Sequence, residues 1–563
     1  MTNALSHVTG LSSPPLLTDS IGRHLEIACR RWADRLLLIS RHQSIRKSYG
    51  EFGADVMRLA AGFNAAGLHP GDRLALWSRN RYEWVLAQMA AARAGLIFVG
   101  LNPAYRGGEL EYALDKAGCK ALIVSDPSKG EDFTSILRAV VPEIDREAPE
   151  RLRPARLPRL QLVWTLGETA LRGAMRFREL IETEMSNESA PQVHPDAPAA
   201  IQFTSGTTGA AKAATLSHAN LLNNGFFVGE TLRLDEHDRV CVPVQLYHSF
   251  GTVAGILAAI THGAAVILSD ERFAPGPTLH ALADEKCTAV IGVPTMYLAM
   301  LEHDEIARAD LSSLRTGIMS CSPCPTEIMR RAVATMHLSE ITIAYGMTET
   351  SPVSFQSAPD DPLERRVDTV GHVHPHLAAK VVDKGGRTLP LGIPGELLVR
   401  GYSVMLGYWG DPVATREAVD AEGWMHTGDL ATLDADGYCR IVGRLKDIII
   451  RAGENVAPQE IEEALHRHPK VAEACVFGVP DTRFGEEICA WIRLREPASA
   501  TAREIRAFCR DRLANFKVPR YIKFVDAFPL TVTGKVQRFA MREETLAELK
   551  TNALRRRPIR AAQ

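Results

Sequence analysis

The stretch Phe203-Thr204-Ser205-Gly206-Thr207-Thr208-Gly209-Ala210-Ala211-Lys212-Ala213-Ala214 says more about the fold than any other in the chain. Just before it, residues 199–203 read as a strand; just after it, Ser217 is placed to cap a helix that begins near His218. The quoted stretch holds four hydroxyl residues, two glycines and a lysine. Glycines let backbone N–H groups turn toward an anion, hydroxyls add donors, and lysine adds a point charge. That chemistry suits a polyphosphate. It is not a Walker A loop, because the Gly-Lys-Ser/Thr triplet is missing. On composition alone, a plain Ser/Thr/Gly surface loop fits as well.

Outward from this loop, short apolar strands alternate with helical patterns from about Arg23 to Lys380. Residues 73–78, 121–125, 265–268, 289–293 and 341–344 are the clearest strands. Such alternation predicts an α/β architecture with largely parallel sheets. Residues 84–100 and 252–268 are apolar but interrupted, and each reads as a buried helix followed by a strand rather than a membrane span. Residues 143–160, rich in Arg, Glu and Pro, read as an exposed loop or short helix. After about Gly385, residues 395–400, 431–433 and 438–442 are short strands between Gly and Asp turns, which predicts a small β-rich subdomain. A further unit starts near Gly443. Pro458 suits a helix N1 position, residues 459–466 continue the helix, strands follow at 473–478 and 488–493, and a second helix covers 502–513. The expected fold is therefore α/β. Stacked α/β subdomains and a small β-rich subdomain make a large N-terminal domain, followed by a small α+β C-terminal domain.

The chain has 563 residues, enough for about three or four domains at roughly 150 residues each. Hydrophobic residues are 46% and charged residues 23%, so a collagen, a coiled coil and a mainly disordered chain are excluded. The net charge of −2 gives no basic excess for nucleic acid or an anionic membrane. The ten cysteines are sparse and fit reduced thiols. No signal peptide is read at the N-terminus, and the expected compartment is the cytoplasm.

Four further motifs join the loop. They are Tyr345-Gly346-Met347-Thr348-Glu349-Thr350; Thr427-Gly428-Asp429; Gly443-Arg444-Leu445-Lys446-Asp447 running on to Gly453-Glu454-Asn455; and Pro529-Leu530-Thr531-Val532-Thr533-Gly534-Lys535. Together with 204–212, these resemble in order the signatures of the adenylate-forming superfamily of acyl-CoA synthetases, luciferases and peptide-synthetase adenylation domains. Tyr247-His248-Ser249-Phe250-Gly251 and residues 401–409 look most similar to medium-chain fatty-acyl-CoA synthetases.

The resemblance implies an acyl-CoA ligase using ATP/AMP, Mg2+ and coenzyme A. A carboxylate attacks the α-phosphorus of ATP to give an acyl adenylate and pyrophosphate; the CoA thiol then displaces AMP. It implies an AMP-binding domain over 1–445 and a mobile C-terminal domain over 446–563, hinged at Lys446. Lys535 would stabilise charge in adenylation, Thr348 would bond the α-phosphate, and Glu349 would hold Mg2+. Thr204, Ser205, Gly206, Thr207, Thr208 and Lys212 would cradle phosphates, Tyr345 would stack on adenine, Asp429 would accept the ribose hydroxyls, and Arg444 would add charge beside them. Gly453 would line the pantetheine tunnel, and His248 would gate the acyl and CoA paths. Val253, Met319, Met347 and Val353 are acyl-pocket candidates that fit an ordinary core equally well. Cys321-Ser322-Pro323-Cys324 has no second pair for zinc.

The sequence departs from the family pattern in the phosphate loop, where Ala211 stands for Pro and Ala213 for Gly, and at Cys321, where Gly is common. A Cβ at position 213 would interfere if that residue needed a positive φ or a close approach to phosphate. This raises the expectation of weakened adenylation. In its extreme form, the chain would only make thioesters from an adenylate supplied by a separate adenylating enzyme. Two more readings fit the same motifs: acyl transfer to a carrier-protein thiol, and a non-catalytic homologue that binds acyl or nucleotide ligands. The acid itself is not fixed by the sequence.

Overall fold

Strand alternation divides the apolar residues between two faces and so dictates the layers. In Arg73–Trp77, Leu74 and Leu76 enter one core while Ala75 and Trp77 enter another. A computed structural model describes residues 4–126, 132–167, 171–182, 191–204, 211–322, 324–451, 454–481, 484–530 and 536–555. Ser205, Gly206, Thr207, Thr208, Gly453 and Lys535 of the expected site lie outside the described residues.

Among the described residues the strands form four sheets. One runs in the order Gly407–Tyr408, Lys212–Ser217, Pro198–Thr204, Ile97–Leu101, Arg73–Trp77, Ala121–Val124, Leu162–Thr165, Met175–Arg176. A second runs His372–Val373, Val353–Gln356, Glu340–Gly346, Thr316–Ser320, Ala289–Gly292, Arg239–Cys241, Ala265–Leu268, Leu36–Ser40, Ile45–Ser48. Both have parallel centres, as the helix–strand alternation predicts; the second is antiparallel at both edges, the first only on the side of Lys212–Ser217 and Gly407–Tyr408, since Met175–Arg176 adds parallel to Leu162–Thr165. Helices Ile21–Arg31, Tyr49–Ala65, Tyr82–Ala94 and His218–Thr231 share one core with the inner faces of both sheets. Gly107–Ala117 and Phe133–Val140 cover the outer face of the first sheet, and Pro275–Asp284, Pro294–Leu301 and Thr326–Met336 cover the second.

The third sheet is antiparallel: His7–Thr9, Leu377–Val382, Gly395–Gly401, Met425–Leu433, Cys439–Arg444. The fourth belongs to the C-terminal unit. Glu454–Val456, Ile449–Arg451, Gly485–Leu494 and Val471–Asp481 pair in that order, and Tyr521–Phe524 adds parallel to Gly485–Leu494. Its core joins Ile449, Val456, Ile461, Leu465, Ile488 and Ile505. The chain crosses from the third sheet to the fourth over residues 445–448.

Local rules place most boundaries. Ser217 caps His218–Thr231 as expected: its Oγ accepts from the Asn220 N–H at 3.0 Å and Asn220 Oδ1 accepts from the Ser217 N–H at 2.8 Å. Residues 84–100 and 252–268 are each helix then strand. Gly263 makes the second transition at φ 76°, and a Cβ there would come within 2.5 Å of the Trp32 ring. Gly263→Ala is expected to lower stability by about 2 kcal/mol or more, measured by denaturant unfolding, because backbone strain and the ring clash add.

Three local readings change. Residues 143–160, expected as an exposed loop or short helix, contain the short helices Pro142–Asp145 and Pro149–Arg151 but are not simply exposed: Ile144, Leu152, Leu157 and Leu160 are buried as anchors while the charges between them face water. Lys212–Ser217 is a strand, hidden from the sequence because its alanines carry no alternating pattern. Phe250–Leu257 winds as a π-helix rather than an α-helix. All ten cysteines are free thiols, and no described helix is long and apolar enough to cross a membrane.

Candidate active site

The strands Pro198–Thr204 and Lys212–Ser217 are antiparallel neighbours, with Thr204 opposite Lys212. The Thr204 hydroxyl donates to the Lys212 carbonyl at 3.4 Å. The Tyr112 hydroxyl donates to the Ala211 carbonyl at 2.9 Å. Ala213 has no positive φ; it is an extended strand residue, fully buried in the core on the outer face of the first sheet with Val99 and Ile201. Of the two conditions under which its Cβ would interfere, the positive φ is absent. A pleated strand turns alternate side chains to opposite faces, and position 213 faces the core.

Two side-chain groups meet around the C-terminal end of strand Glu340–Gly346. In the first, the half-buried Tyr345 donates its hydroxyl to Asp429 Oδ2 at 2.6 Å, and Arg444 Nε lies 3.1 Å from Asp429 Oδ1. Asp429 and Arg444 are cross-strand partners, so the pair is set by sheet register. The left-handed Gly428 and the Asp429 N–H, which donates to Thr427 Oγ1 at 3.1 Å, shape the turn. Burial pushes the Asp429 carboxyl above its ordinary range, against the pull of Arg444 and Tyr345 in the other direction. Burial, then the Asp429 charge, push the Tyr345 phenol well above its ordinary value.

In the second group, Glu349 sits in the turn Thr348–Thr350 and is buried, as is Thr348. Glu349 Oε1 accepts from the Tyr408 hydroxyl at 2.8 Å, and Lys212 Nζ lies 4.7 Å above the Tyr408 ring. Lys212 and Glu349, far apart in sequence, are thus joined by a tyrosine to which the motifs assign no role. The turn is braced from behind. Asn224 donates to the Val353 carbonyl at 2.7 Å and accepts from its N–H at 3.0 Å, and Ser351 Oγ donates to the Ser403 carbonyl at 2.7 Å. Among the described residues no three His, Cys, Asp or Glu side chains cluster as metal ligands. A single carboxylate fits a cation whose other ligands are phosphate oxygens and water.

His248 is half-buried beside the π-helix; its Nδ1 accepts from the Phe250 N–H at 3.2 Å and its carbonyl from the Gly251 N–H at 3.0 Å. Of the acyl-pocket candidates, Val253 and Val353 lie in the central core with Met347 packed against it, whereas Met319 points to the opposite face of its sheet. Strand alternation separates it from its neighbour Ile318. Cys321 holds φ 72°, the left-handed region that favours glycine, at a cost of about 1–2 kcal/mol.

In the C-terminal unit Lys446 is exposed, one residue after Leu445, whose N–H donates to the Gly428 carbonyl at 2.9 Å. Leu530 and Val536 bridge across the residues that contain Lys535. Arg538 then reaches Asp447 Oδ2 at 3.2 Å and Glu462 Oε1 at 2.8 Å, tying the start of helix Arg538–Arg555 to the segment after Lys446. Beside residue 452, Arg451 forks onto the fully buried Glu487, Nε to Oε2 at 3.0 Å and Nη2 to Oε1 at 2.9 Å. Sequence reasoning missed Tyr408, Arg538, Arg451 and Glu487. The first lies inside the 401–409 motif and Arg538 stands three residues after Lys535, but the Arg451–Glu487 pairing left no local signal.

Comparison with known proteins agrees with this geometry. Family models described as AMP-binding enzyme and AMP-binding enzyme C-terminal domain match residues 25–409 and 460–535. The chain is 45% identical over 553 residues to "Medium-chain acyl-CoA ligase ACSF2, mitochondrial" of Danio rerio, covering 97% of this chain and 91% of that protein. It is 41% identical over 539 residues to "Putative acyl-CoA synthetase YngI" of Bacillus subtilis (strain 168), covering 94% and 98%. Among solved structures, the anthranilate CoA ligase AuaEII in complex with anthranoyl-AMP superposes with a TM-score of 0.85 at 27% identity, covering 96% of this chain and 99% of that one. ATP-bound MatB from Rhodopseudomonas palustris gives 0.81 at 29% identity, covering 93% and 98%. The five motifs, the two side-chain groups at the end of strand Glu340–Gly346 and these similarities agree, and the chain belongs to the AMP-binding enzyme family, as an adenylate-forming acyl-CoA synthetase of the AMP-forming acid–thiol ligase class.

Proposed function

We propose that this chain converts a medium-chain carboxylic acid into its CoA thioester and performs both half-reactions itself. The observation that carries the reading is the meeting of a nucleoside-type group, Tyr345–Asp429–Arg444, with a phosphate-type group, Lys212–Tyr408–Glu349. The chain length of the acid rests on the similarity to the Danio rerio protein.

In the first half-reaction a carboxylate oxygen bonds to the α-phosphorus and the bond to pyrophosphate breaks. Both reactants are anions, so the site must offer positive charge and donors more than a base. Lys212, Thr348 and the hydroxyl loop of residues 204–208 serve the phosphates, and Lys535 bridges carboxylate and α-phosphate. Asp429 accepts the ribose hydroxyls, Arg444 adds charge, and Tyr345 stacks on adenine. Mg2+, when bound, neutralises phosphate charge, with Glu349 as its protein carboxylate. In the second half-reaction the chain turns at Lys446, residues around Gly453 line the thiol path, and His248 gates it. The CoA sulfur bonds to the acyl carbon, AMP leaves with the bonding electrons, and the thiol proton goes to solvent.

The extended, core-facing backbone at Ala213 favours intact adenylation over the reading in which a partner supplies the adenylate. The test compares pyrophosphate exchange from free acid and ATP with thioester formation from synthetic acyl adenylate, over short, medium and long acids. Both activities, peaking at medium chain length, are expected. Thioester formation without exchange would restrict the chain to the second half-reaction. Transfer to a holo-carrier protein in preference to CoA, or neither activity, would overturn the assignment.

A further inference from the structure

The segment that carries Tyr408 is fastened to both halves of the phosphate site. The Leu406 N–H donates to the Thr215 carbonyl at 2.9 Å and the Trp409 N–H to the Ala213 carbonyl at 2.8 Å, so the segment is stitched to the strand that begins at Lys212. The Met405 N–H donates to the Glu349 carbonyl at 2.9 Å. The Tyr408 N–H is itself held by Thr415 Oγ1 at 2.9 Å, and the residue is buried, 8% exposed. Its hydroxyl is directed to Glu349 Oε1, and its ring face is covered by Lys212 Nζ.

From this geometry we infer that Tyr408 is a positioning residue for adenylation: its hydroxyl occupies one oxygen of Glu349 and turns the other toward the phosphates, while its ring holds Lys212 on the same side. A buried carboxylate beside a polyphosphate is repulsive unless it is held in a single orientation toward a shared cation. A carboxylate has two oxygens; a donor fixed on Oε1 sets the plane of the group, and Oε2 is the oxygen that would be offered to a cation. The lysine's position is the second half of the device. A cation over an aromatic face keeps its charge while losing rotational freedom, so less ordering remains when the phosphates arrive.

The inference rests on the ATP-dependent reading above, and it is tested by separating hydroxyl from ring. Tyr408→Phe keeps the ring over Lys212 and removes the donor; Tyr408→Leu removes both. For Tyr408→Phe, pyrophosphate exchange is expected to fall by about 10- to 100-fold, the loss of one hydrogen bond to a charged group. Thioester formation from synthetic acyl adenylate is expected to stay within about twofold, a split that a merely structural role would not produce. Tyr408→Leu is expected to lose more exchange and to raise the KM for ATP.

A binding readout independent of turnover is calorimetry with α,β-methylene ATP. Wild type is expected to bind more tightly with Mg2+ than without, and Tyr408→Phe to lose most of that difference. In a Glu349→Ala background Tyr408→Phe is expected to cost nothing further, because the hydroxyl acts through Glu349. Equal losses in both half-reactions, unchanged exchange, or full additivity with Glu349→Ala would overturn the inference while leaving the ligase reading intact. A wild type lacking exchange would remove the adenylation step and both readings with it. If Tyr408→Leu fails to fold, Tyr408→Phe and the double variant still decide.

Discussion

Replacing Asp429 with Asn is expected to raise the melting temperature of the ligand-free protein by about 1–3 °C and to weaken AMP binding by about 100-fold. The opposite signs follow from one fact: the carboxylate is buried, and the cost of that burial exceeds the help it gets from Arg444 and Tyr345, so its pKa is raised. A carboxyl with a raised folded pKa lowers stability only when charged. That cost is absent below its ordinary pKa, grows as pH rises toward the raised folded value, and is complete above it. Asn carries no charge to desolvate and still offers Tyr345 an oxygen acceptor. A ribose diol is different, since its two donors need both carboxylate oxygens, and an amide has one. Wild-type AMP affinity is therefore expected to decline as pH falls toward the raised pKa, with the Asn variant flat over the same range. Thermal melts and calorimetry across mildly acidic to neutral pH check both halves. A variant less stable than wild type at neutral pH would show that the ion pair, not the desolvation, dominates.

Arg451→Ala is expected to cost about 3 kcal/mol in the C-terminal unit. Glu487 is fully buried, and the two-pronged contact with Arg451 is its main compensation, with Arg520 farther away at 3.6 Å. Removing the cation alone strands a charge in an apolar sheet. Removing both partners, as in Arg451→Met with Glu487→Leu, is expected to recover most of the loss, because apolar side chains of similar volume need no pairing. Chemical denaturation of the three variants measures the difference. The same clamp borders residues 452 and 453, so the single variant is also expected to slow thioester formation from acyl adenylate more than pyrophosphate exchange. Equal slowing would mean that the clamp supports the whole unit and not the thiol path.

Much of this fold is legible in the chain itself. Residues 84–100 and 252–268 carry their helix–strand change in a glycine between apolar runs. Ser217 announces its helix through a hydroxyl followed three residues later by Asn220, and Pro458 opens the helix Pro458–His466. These signals are local, contained within one turn of helix or one strand. The anchors in 143–160 escape because single apolar residues among charges have no period to betray them. The strand Lys212–Ser217 escapes because five of its six residues are buried, and burial on both faces erases alternation.

By itself the sequence determined the chemistry's inventory: the residue types of five motifs, their order, and the near-neutral surface that leaves the work to a few placed cations such as Lys212 and Arg444. Only the tertiary structure decided how that inventory is wired. Sheet register set Arg444 opposite Asp429, strand pleating turned Ala213 into the core, and the edge pairing of Gly407–Tyr408 set one phenol between Lys212 and Glu349. Hydrogen-bonded ladders bring together residues hundreds of positions apart, and no pattern within a short window of sequence encodes which rung meets which.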